Sequence, residues 1–291
     1  MKRISRDYYT YPIYAGVSRV GKSISFNYNS DSNNHDILHI VQDTSGKVDS
    51  DDMTYVYAYK YTDNATKDDE YALRAWLKYS IFNSNTPRYE QIYFNKFLNL
   101  GIERVEQYIS FRQLDGIISI GEDSKLLQEL SIRFIHYTDG FSINSSLMKK
   151  MYDEIEFDDN LAKQAFYKSR RIFSPKQIEE IIAKTKKEFD LNKSKFILYK
   201  SQDDWDRIIQ ESLQKFHIKD YMPREVRFGF KNFLKFGSDV DKQLYQEMQG
   251  GSYLLYDDFY TSGATVTDVV RYLKSVNETN DIIVFILIKQ Y

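Results

Sequence analysis

The most constraining feature of this sequence is an uninterrupted run of seven apolar residues at positions 282–288. A strand buried on one face alternates apolar and polar residues, whereas a strand covered on both faces does not. The run is also far too short for a membrane-spanning helix, which needs about 20 apolar residues. It therefore predicts an interior strand of a parallel sheet with helices packed on both faces.

Strand-like and helix-like segments alternate through the second half of the chain. Apolar runs at 116–120 and 253–256 are typical of buried strands, and residues with helical spacing follow each run. The apolar residues of these two helices are Leu126, Leu127 and Leu130, and Val266, Val269, Val270, Leu273 and Val276. Ser174, Pro175 and Gln177 match a capping box with proline at the first helical position, which predicts another helix. The alternation predicts an α/β fold, a Rossmann-like parallel sheet flanked by helices.

The first part of the chain, residues 1–110, has a different pattern. Aromatic and β-branched runs separated by Asn, Asp, Ser and Gly predict strands at 8–14, 24–28, 37–41 and 55–61. The spacing of apolar residues becomes helical over 66–110. We therefore expect a β-rich and then helical region, followed by an α/β core at 111–291. The core contains a helical insertion at about 140–220, with a predicted helix near Trp205.

The stretch from Tyr253 to Thr265 carries the most specific functional signal. Its apolar residues end at Asp257 and Asp258, and a short loop of hydroxyl and small residues precedes the next helix. In an open parallel sheet, ligands bind beyond the carboxyl ends of the strands. Carboxylates at that edge can accept hydrogen bonds from a diol, and the N–H groups of a helix N-terminus suit a phosphate. The combination predicts a site for a ribose 5-phosphate.

This stretch resembles the signature of type I phosphoribosyltransferases: four hydrophobic residues, two acids, two hydrophobic residues and a Thr-Ser-Gly type of loop. The resemblance implies that Asp257 and Asp258 act at the ribose hydroxyls of phosphoribosyl pyrophosphate. The same acids would hold Mg²⁺ through water or through those hydroxyls. The loop implied to bind the 5-phosphate consists of Thr261, Ser262, Gly263, Ala264 and Thr265. The alternative interpretation is an ordinary strand that ends in a solvated acidic turn.

A second turn fits the same family. An apolar strand precedes Gly121, and a helix follows Ser124 and Lys125. By resemblance these three residues belong to the loop that binds pyrophosphate. Glu122 and Asp123 stand where the family usually has small neutral residues, and they would repel a pyrophosphate unless Mg²⁺ intervenes. A plain surface turn is the alternative.

A third segment, at 224–233, is rich in basic and aromatic residues. Members of the family carry a mobile loop or hairpin before the signature strand, and this loop brings basic residues over the pyrophosphate. The resemblance therefore implies a catalytic role for Arg227 and Lys231, because cations neutralise charge that develops on a leaving group. A solvated amphipathic strand is the alternative.

Two features narrow the function. Hypoxanthine-guanine members of the family carry an Asp where this chain has Thr261, so oxopurine salvage by that route is not expected. The chain ends just after its last predicted strand, so the hood that selects the acceptor is expected within residues 1–110 or 140–220.

Positions 16–23 match the P-loop pattern G-x-x-x-x-G-K-S, but a P-loop needs a helix after the Ser, and residues 24–28 alternate like a strand. These residues are therefore interpreted as a β-hairpin rather than as the phosphate-binding loop of a nucleoside triphosphatase.

Composition excludes several other classes. Lys and Arg number 40 against 42 Asp and Glu, so no global charge draws the chain to nucleic acid or to an anionic membrane. Cysteine is absent, which excludes disulfides, thiolate zinc sites and a cysteine nucleophile. The start of the chain lacks the apolar stretch of a secretory signal, so we expect a cytoplasmic protein.

The expected function is that of a phosphoribosyltransferase. With Mg²⁺ as cofactor, it would transfer ribose 5-phosphate from phosphoribosyl pyrophosphate to an unidentified nitrogen acceptor and release pyrophosphate. A homodimer is compatible with this expectation. One alternative is a non-catalytic regulatory protein that binds phosphoribosyl pyrophosphate or a nucleotide. Another is a structural, phage-associated protein, which the Tyr-rich N-terminal region suggests.

Overall fold

The computed structural model describes most of the chain, in ranges separated by gaps. The described residues are 15–20, 23–27, 38–42, 45–49, 53–61, 67–86, 88–121, 124–137, 143–149, 152–169, 171–200, 218, 221–260 and 263–289. The strand predicted at 8–14 and the helix predicted near Trp205 lie outside these residues. The described part confirms a mixed α/β fold with a mostly parallel central sheet flanked by helices.

Twelve strands are described. They are β1 Ala15–Val20, β2 Ser23–Asn27, β3 Leu38–Gln42, β4 Gly46–Asp49, β5 Thr54–Tyr61, β6 Gly116–Ile120, β7 Ile143–Lys149, β8 Glu156–Phe157, β9 Phe230–Lys231, β10 Leu234–Phe236, β11 Ser252–Tyr260 and β12 Asp281–Lys289. The α-helices are α1 Lys67–Lys78, α2 Arg88–Val105, α3 Lys125–His136, α4 Asp159–Lys168, α5 Pro175–Lys200, α6 Asp239–Glu247 and α7 Ala264–Val276.

Ten of these strands form one sheet in the order β10-β7-β6-β11-β12-β5-β3-β1-β2, and β4 also pairs with β5. The five strands β7, β6, β11, β12 and β5 are parallel to one another. The strands outside this parallel centre pair in antiparallel fashion. The remaining two, β8 and β9, form a separate ribbon.

The order of the parallel strands reverses direction between β6 and β11. After β6 the chain passes through α3 to β7 on one side, whereas β11 lies on the other side of β6 and leads through α7 to β12. A point at which strand order reverses leaves a crevice at the carboxyl ends of the strands, and this crevice is where ligands bind in open α/β sheets. The turns after β6 and β11 therefore flank the place where the fold itself favours a site.

Residues of β12 show why its sequence is uniformly apolar. Val284 and Ile286 pack into the core on one face of the sheet, and Phe285 and Leu287 pack into the core on the other. All four residues are fully buried. The predicted interior parallel strand is therefore confirmed.

The two faces of the sheet are covered by different parts of the chain. Buried residues of α1, α2 and α3 form the core on one face, and those of α4, α5, α6 and α7 form the core on the other. From the N-terminal region, β5 pairs in parallel with β12, and Leu73 and Leu98 lie in the first core. Strands from before residue 110 and strands from after it thus belong to one sheet.

Local sequence signals explain two further features. Ser174 Oγ accepts a hydrogen bond from the Gln177 N–H at 3.3 Å, and Gln177 Oε1 accepts one from the Ser174 N–H at 2.8 Å. This confirms the capping box at the start of α5.

Ser23 opens β2, which is antiparallel to β1 with Val20 opposite Ser23. A strand rather than a helix follows Ser23, so the P-loop geometry is absent there and the hairpin interpretation is confirmed.

The basic segment that was predicted as a loop, hairpin or amphipathic strand is mostly helical. A 3-10 helix spans Arg224–Gly229, and only Phe230 and Lys231 form a strand. The turn that follows is fixed by Asp268 of α7, whose carboxylate accepts hydrogen bonds from the N–H groups of Asn232 at 3.1 Å and Phe233 at 3.3 Å.

Among the described helices, none is long and apolar enough to cross a membrane.

We expect the substitution Asp268→Ala to destabilise the fold by about 2 kcal/mol. Asp268 is 2% exposed, so its removal leaves one buried and one partly buried N–H group without their acceptor. The matched control is Asp281→Ala, which removes an exposed carboxylate at the start of β12 and should change the stability by less than about 0.5 kcal/mol. Urea unfolding of both variants measures the difference, and equal losses would contradict the role of Asp268.

Candidate active site at the switch point of the sheet

The acid pair lies inside β11 rather than beyond its end. The sequence suggested that the strand stops at Tyr256, but β11 continues to Tyr260 because β12 pairs with it as far as Lys289. Asp258 is almost fully buried, whereas Asp257 is partly exposed. Their carboxyl groups lie close enough to interact, because both the charge and the side chain of Asp258 act on the pKa of Asp257.

Asp258 faces the side of the sheet that α1 covers. Its Oδ2 atom lies 2.5 Å from the Nζ atom of Lys78, the last residue of α1. The side chain of Asp258 is 6% exposed, and a buried carboxylate is strongly disfavoured without a charged partner. Burial acts to lower the pKa of Lys78, but the charge and hydrogen bond of Asp258, together with the charges of Asp257 and Tyr79, outweigh burial, so this pKa is raised.

Asp257 is partly exposed, unlike Asp258. Burial of the carboxyl group raises its pKa well above the usual value for aspartate, and the negative charge of Asp258 raises it further. The Asp258 N–H donates to Asp257 Oδ1 at 2.8 Å, which acts in the opposite direction. Asp257 therefore holds a proton to higher pH than an ordinary aspartate and can both donate and accept a hydrogen bond.

A layer of charged and aromatic residues supports the ion pair. The ring of Phe259 lies beneath two cations, with the Arg74 guanidinium carbon 4.9 Å and the Lys78 ammonium nitrogen 5.5 Å from its centre. Tyr61 lies near the same guanidinium group, and burial raises the pKa of Tyr61 to about 12 against the opposing effect of Arg74. The buried side chain of Glu70 completes the layer.

Sequence reasoning missed this contribution of α1. One signal was present, because Glu70, Arg74 and Lys78 recur every four residues and so lie along one stripe of the helix. That stripe runs beside the buried Leu73 and Leu77. Charged residues that border an apolar stripe are common on helices, so the pattern alone did not indicate a partner on β11.

The turn after β11 begins α7 through a left-handed glycine. Gly263 has a φ of 79°, and a β-carbon on it would collide with the Tyr260 ring, so this position requires glycine. Ala264 is buried and Thr265 is partly exposed in the first turn of the helix. Thr261 and Ser262 lie outside the described residues, so their predicted contact with the 5-phosphate stays a prediction.

The turn after β6 has a similar construction. Gly121 has a φ of 112°, and Ser124 precedes α3 with an extended backbone, as an N-cap residue does. Ser124 Oγ is enclosed and finds no hydrogen-bond partner in the part of the chain that the structure describes. Lys125 extends its ammonium group to 5.7 Å from the ring of Phe82. Glu122 and Asp123 lie outside the described residues.

The structure brings these two turns to the same edge of the sheet. Ser119 of β6 pairs with Tyr256 of β11, so the ends of the two strands are adjacent. The acid pair, Gly263 and the start of α7 thus lie on one side of the switch point, and Gly121 and the start of α3 lie on the other.

The structure places Arg227 and Lys231 in another environment. Arg227 donates from Nε to the Tyr221 carbonyl at 2.8 Å. Lys231 Nζ lies 3.2 Å from Asp158 Oδ2 and 3.9 Å from Glu156 Oε2, beside the start of α4. The predicted contact of Arg227 and Lys231 with pyrophosphate stays a prediction, and these internal contacts would have to open for it to form.

Comparison with known proteins adds no assignment. No protein-family model matches the chain, and no curated protein matches it in sequence. Across the residues that the structure describes, no group of three or more His, Asp or Glu side chains is arranged to hold a metal ion. The resemblance to phosphoribosyltransferases therefore stays a prediction from the sequence.

A double-mutant cycle should show that Lys78 and Asp258 are coupled. Lys78→Met leaves a buried carboxylate without its cation, so we expect a loss of about 2 kcal/mol, whereas loss of both charges in Lys78→Met/Asp258→Asn should cost less than the two single changes combined. Chemical unfolding of the four proteins gives the coupling energy. Additive losses would contradict the pairing.

The stability of the protein should also depend on the ionisation of Asp257. Because the folded state raises this pKa, Asp257 favours folding below about pH 4 and disfavours it as the pH rises through the folded value. The neutral variant Asp257→Asn should therefore gain stability relative to the wild type as the pH rises from 4 to 8. Unfolding at several pH values measures this gain, and a difference between the variant and the wild type that is the same at pH 4 and pH 8 would contradict the role of Asp257.

Proposed function

We propose that this protein binds phosphoribosyl pyrophosphate at the carboxyl edge of β6 and β11 and transfers its ribose 5-phosphate to a nitrogen acceptor. The observation that carries the proposal is the position of two glycine turns, at Gly121 and Gly263, on adjacent parallel strands at the point of reversed strand order. The order β7-β6-β11-β12 is compatible with a Rossmann-like core of the phosphoribosyltransferase type.

The start of α7 suits the 5-phosphate. The first N–H groups of a helix have no partner within the helix, and they carry the positive end of its dipole. Gly263 turns the backbone into this helix in a conformation that other residues rarely adopt. Gly263, Thr265 and the start of α7 are the described parts of the proposed phosphate cradle, and the sequence supplies two further hydroxyls for it at Thr261 and Ser262.

The partly exposed Asp257 is the acid that suits the ribose hydroxyls. Its carboxyl group can donate or accept a hydrogen bond, which matches the two roles of a hydroxyl. Because Mg²⁺ is usually held by one or two carboxylates together with substrate phosphates, the partly exposed Asp257 would be the acid that holds an ion arriving with its ligand. Such an ion would offset negative charge on the pyrophosphate.

The proposed reaction exchanges one bond at C1 of the ribose for another. The bond from C1 to the pyrophosphate oxygen breaks, and its electron pair leaves with pyrophosphate. The lone pair of the acceptor nitrogen forms the new C1–N bond, and the nitrogen releases its proton to water. The contribution of the chain is to hold the two reactants in line and to stabilise the leaving charge.

One observation favours a second candidate, a non-catalytic protein that binds the same ligand. Asp258 is already paired with Lys78, and Lys231 with Asp158, so groups expected to act on the ligand already have internal partners. A protein that binds phosphoribosyl pyrophosphate without turnover would be a sensor rather than an enzyme. Release of pyrophosphate separates the two functions.

We expect wild-type protein to bind phosphoribosyl pyrophosphate in the presence of Mg²⁺ in isothermal titration calorimetry. The double variant Asp257→Asn/Asp258→Asn should lose at least about tenfold in affinity, since it removes the carboxyl group proposed to bind the ribose hydroxyls and the buried carboxylate beside it. The matched control is Asp281→Asn, at the opposite end of the neighbouring strand, and it should bind as the wild type does. Thermal unfolding checks that each variant is folded.

Unchanged affinity of the double variant would contradict the assignment of the site. Incubation with phosphoribosyl pyrophosphate, Mg²⁺ and a pool of nucleobases, followed by mass spectrometry, then tests catalysis. A nucleoside monophosphate product together with pyrophosphate identifies the acceptor. Binding without pyrophosphate release across the pool favours the sensor.

A further inference from the structure

We infer that Lys78 is the cation that meets the pyrophosphate group of the ligand and that Asp258 is the residue that positions it. This inference rests on the proposed function and assigns a new residue to the same site. It also gives the two acids different roles, since Asp257 faces the sugar while Asp258 holds the lysine.

The first step of the argument is the location of Lys78. Its ion pair with Asp258 fixes the end of α1 at the carboxyl edge of β11. A few residues later, Phe82 contacts Lys125, the first residue of α3 after the glycine turn of β6. The short segment from Lys78 to Phe82 therefore links the two strands that flank the switch point, and it places the ammonium group beside the proposed ligand.

The second step is the availability of Lys78. An ammonium group has three N–H donors, and the carboxylate of Asp258 occupies one direction around it. The side chain of Lys78 is 32% exposed, so the remaining donors can reach a ligand from solvent. The ring of Phe259 lies under the ammonium group and restricts its position. The raised pKa of Lys78 keeps it charged throughout the physiological range.

The third step concerns Asp258. Because its side chain is 6% exposed and is bound by Lys78, a sugar hydroxyl can reach it only if the ion pair opens. Opening the pair would leave a buried carboxylate with a weaker partner, which is unfavourable. A ligand that adds its own negative charge on the exposed side of Lys78 leaves the pair intact.

The fourth step compares Lys78 with the basic residues expected from the sequence. Arg227 and Lys231 lie in the segment whose buried residues, Val226 and Phe230, belong to the core on the opposite face of the sheet from α1. Lys231 is held there by Asp158. Lys78 needs no rearrangement, and the nearby Arg74 adds positive potential on the same side.

The test is calorimetric titration with three probes: inorganic pyrophosphate, phosphoribosyl pyrophosphate and ribose 5-phosphate, each with Mg²⁺. Lys78→Met should weaken the affinity for both pyrophosphate-containing probes by about 10- to 100-fold, because a charge-assisted hydrogen bond is lost. The affinity for ribose 5-phosphate should change by less than about threefold, since Lys78 does not contact it. Lys78→Arg should keep most of the affinity because it retains the charge.

Lys67→Met, at the exposed first residue of the same helix, is the matched control and should bind all three probes as the wild type does. Equal losses for all three probes in Lys78→Met would indicate a structural role and overturn the inference, as would unchanged or tighter binding of pyrophosphate. If Lys78→Met does not fold, acetylation of wild-type lysines replaces it. Pyrophosphate should then protect Lys78 but not Lys67, and equal reactivity of Lys78 with and without pyrophosphate would overturn the inference.

The same titrations separate this inference from the proposed function. Wild-type protein that binds pyrophosphate through Lys78 but does not bind phosphoribosyl pyrophosphate more tightly supports the inference and contradicts the proposed function. Wild-type protein that binds phosphoribosyl pyrophosphate with no dependence on Lys78 supports the proposed function and contradicts the inference. Wild-type protein without affinity for pyrophosphate contradicts the inference directly.

Discussion

The ion pair between Lys78 and Asp258 connects α1 with β11, the strand that carries the acid pair of the candidate site. A carboxylate that is almost fully buried at the edge of a sheet requires a cation, and here that cation comes from α1, far away in the sequence. The pair fixes the end of α1 over β11, and Phe82 extends the connection to the start of α3. The end of α1 and the turn after it are thereby joined both to β11 and to the start of α3.

Much of the α/β centre was predictable because its signals are local. The apolar run of β12, the stripe of valines on α7 and the capping box before α5 each follow from the residues within one element. Such signals arise from burial and from hydrogen bonding between near neighbours, so they can be identified in a single sequence. The same holds for Gly121 and Gly263, whose positive φ angles suit the turns that the sequence indicated.

The features that could not be predicted depend on contacts between distant segments. The extension of β11 through both acids requires the backbone of β12, because two consecutive aspartates are poor strand formers on their own. The partner of Asp258 depends on how α1 packs, and the internal contacts of Lys231 depend on the position of α4. Periodicity identifies which face of a helix is buried, but it does not identify the element that the face meets.

The place of β5 in the sheet has a consequence for how the chain acquires its structure. Tyr55 of β5 pairs beside Val284 of β12, so two segments more than 200 residues apart are direct neighbours in the parallel centre. Contacts of such large sequence separation slow folding, because the intervening loop must close before the contact forms. During synthesis β5 leaves the ribosome long before its partner exists, so the strand edges that await β12 are exposed to chaperones and to other chains until translation of the last segment is complete.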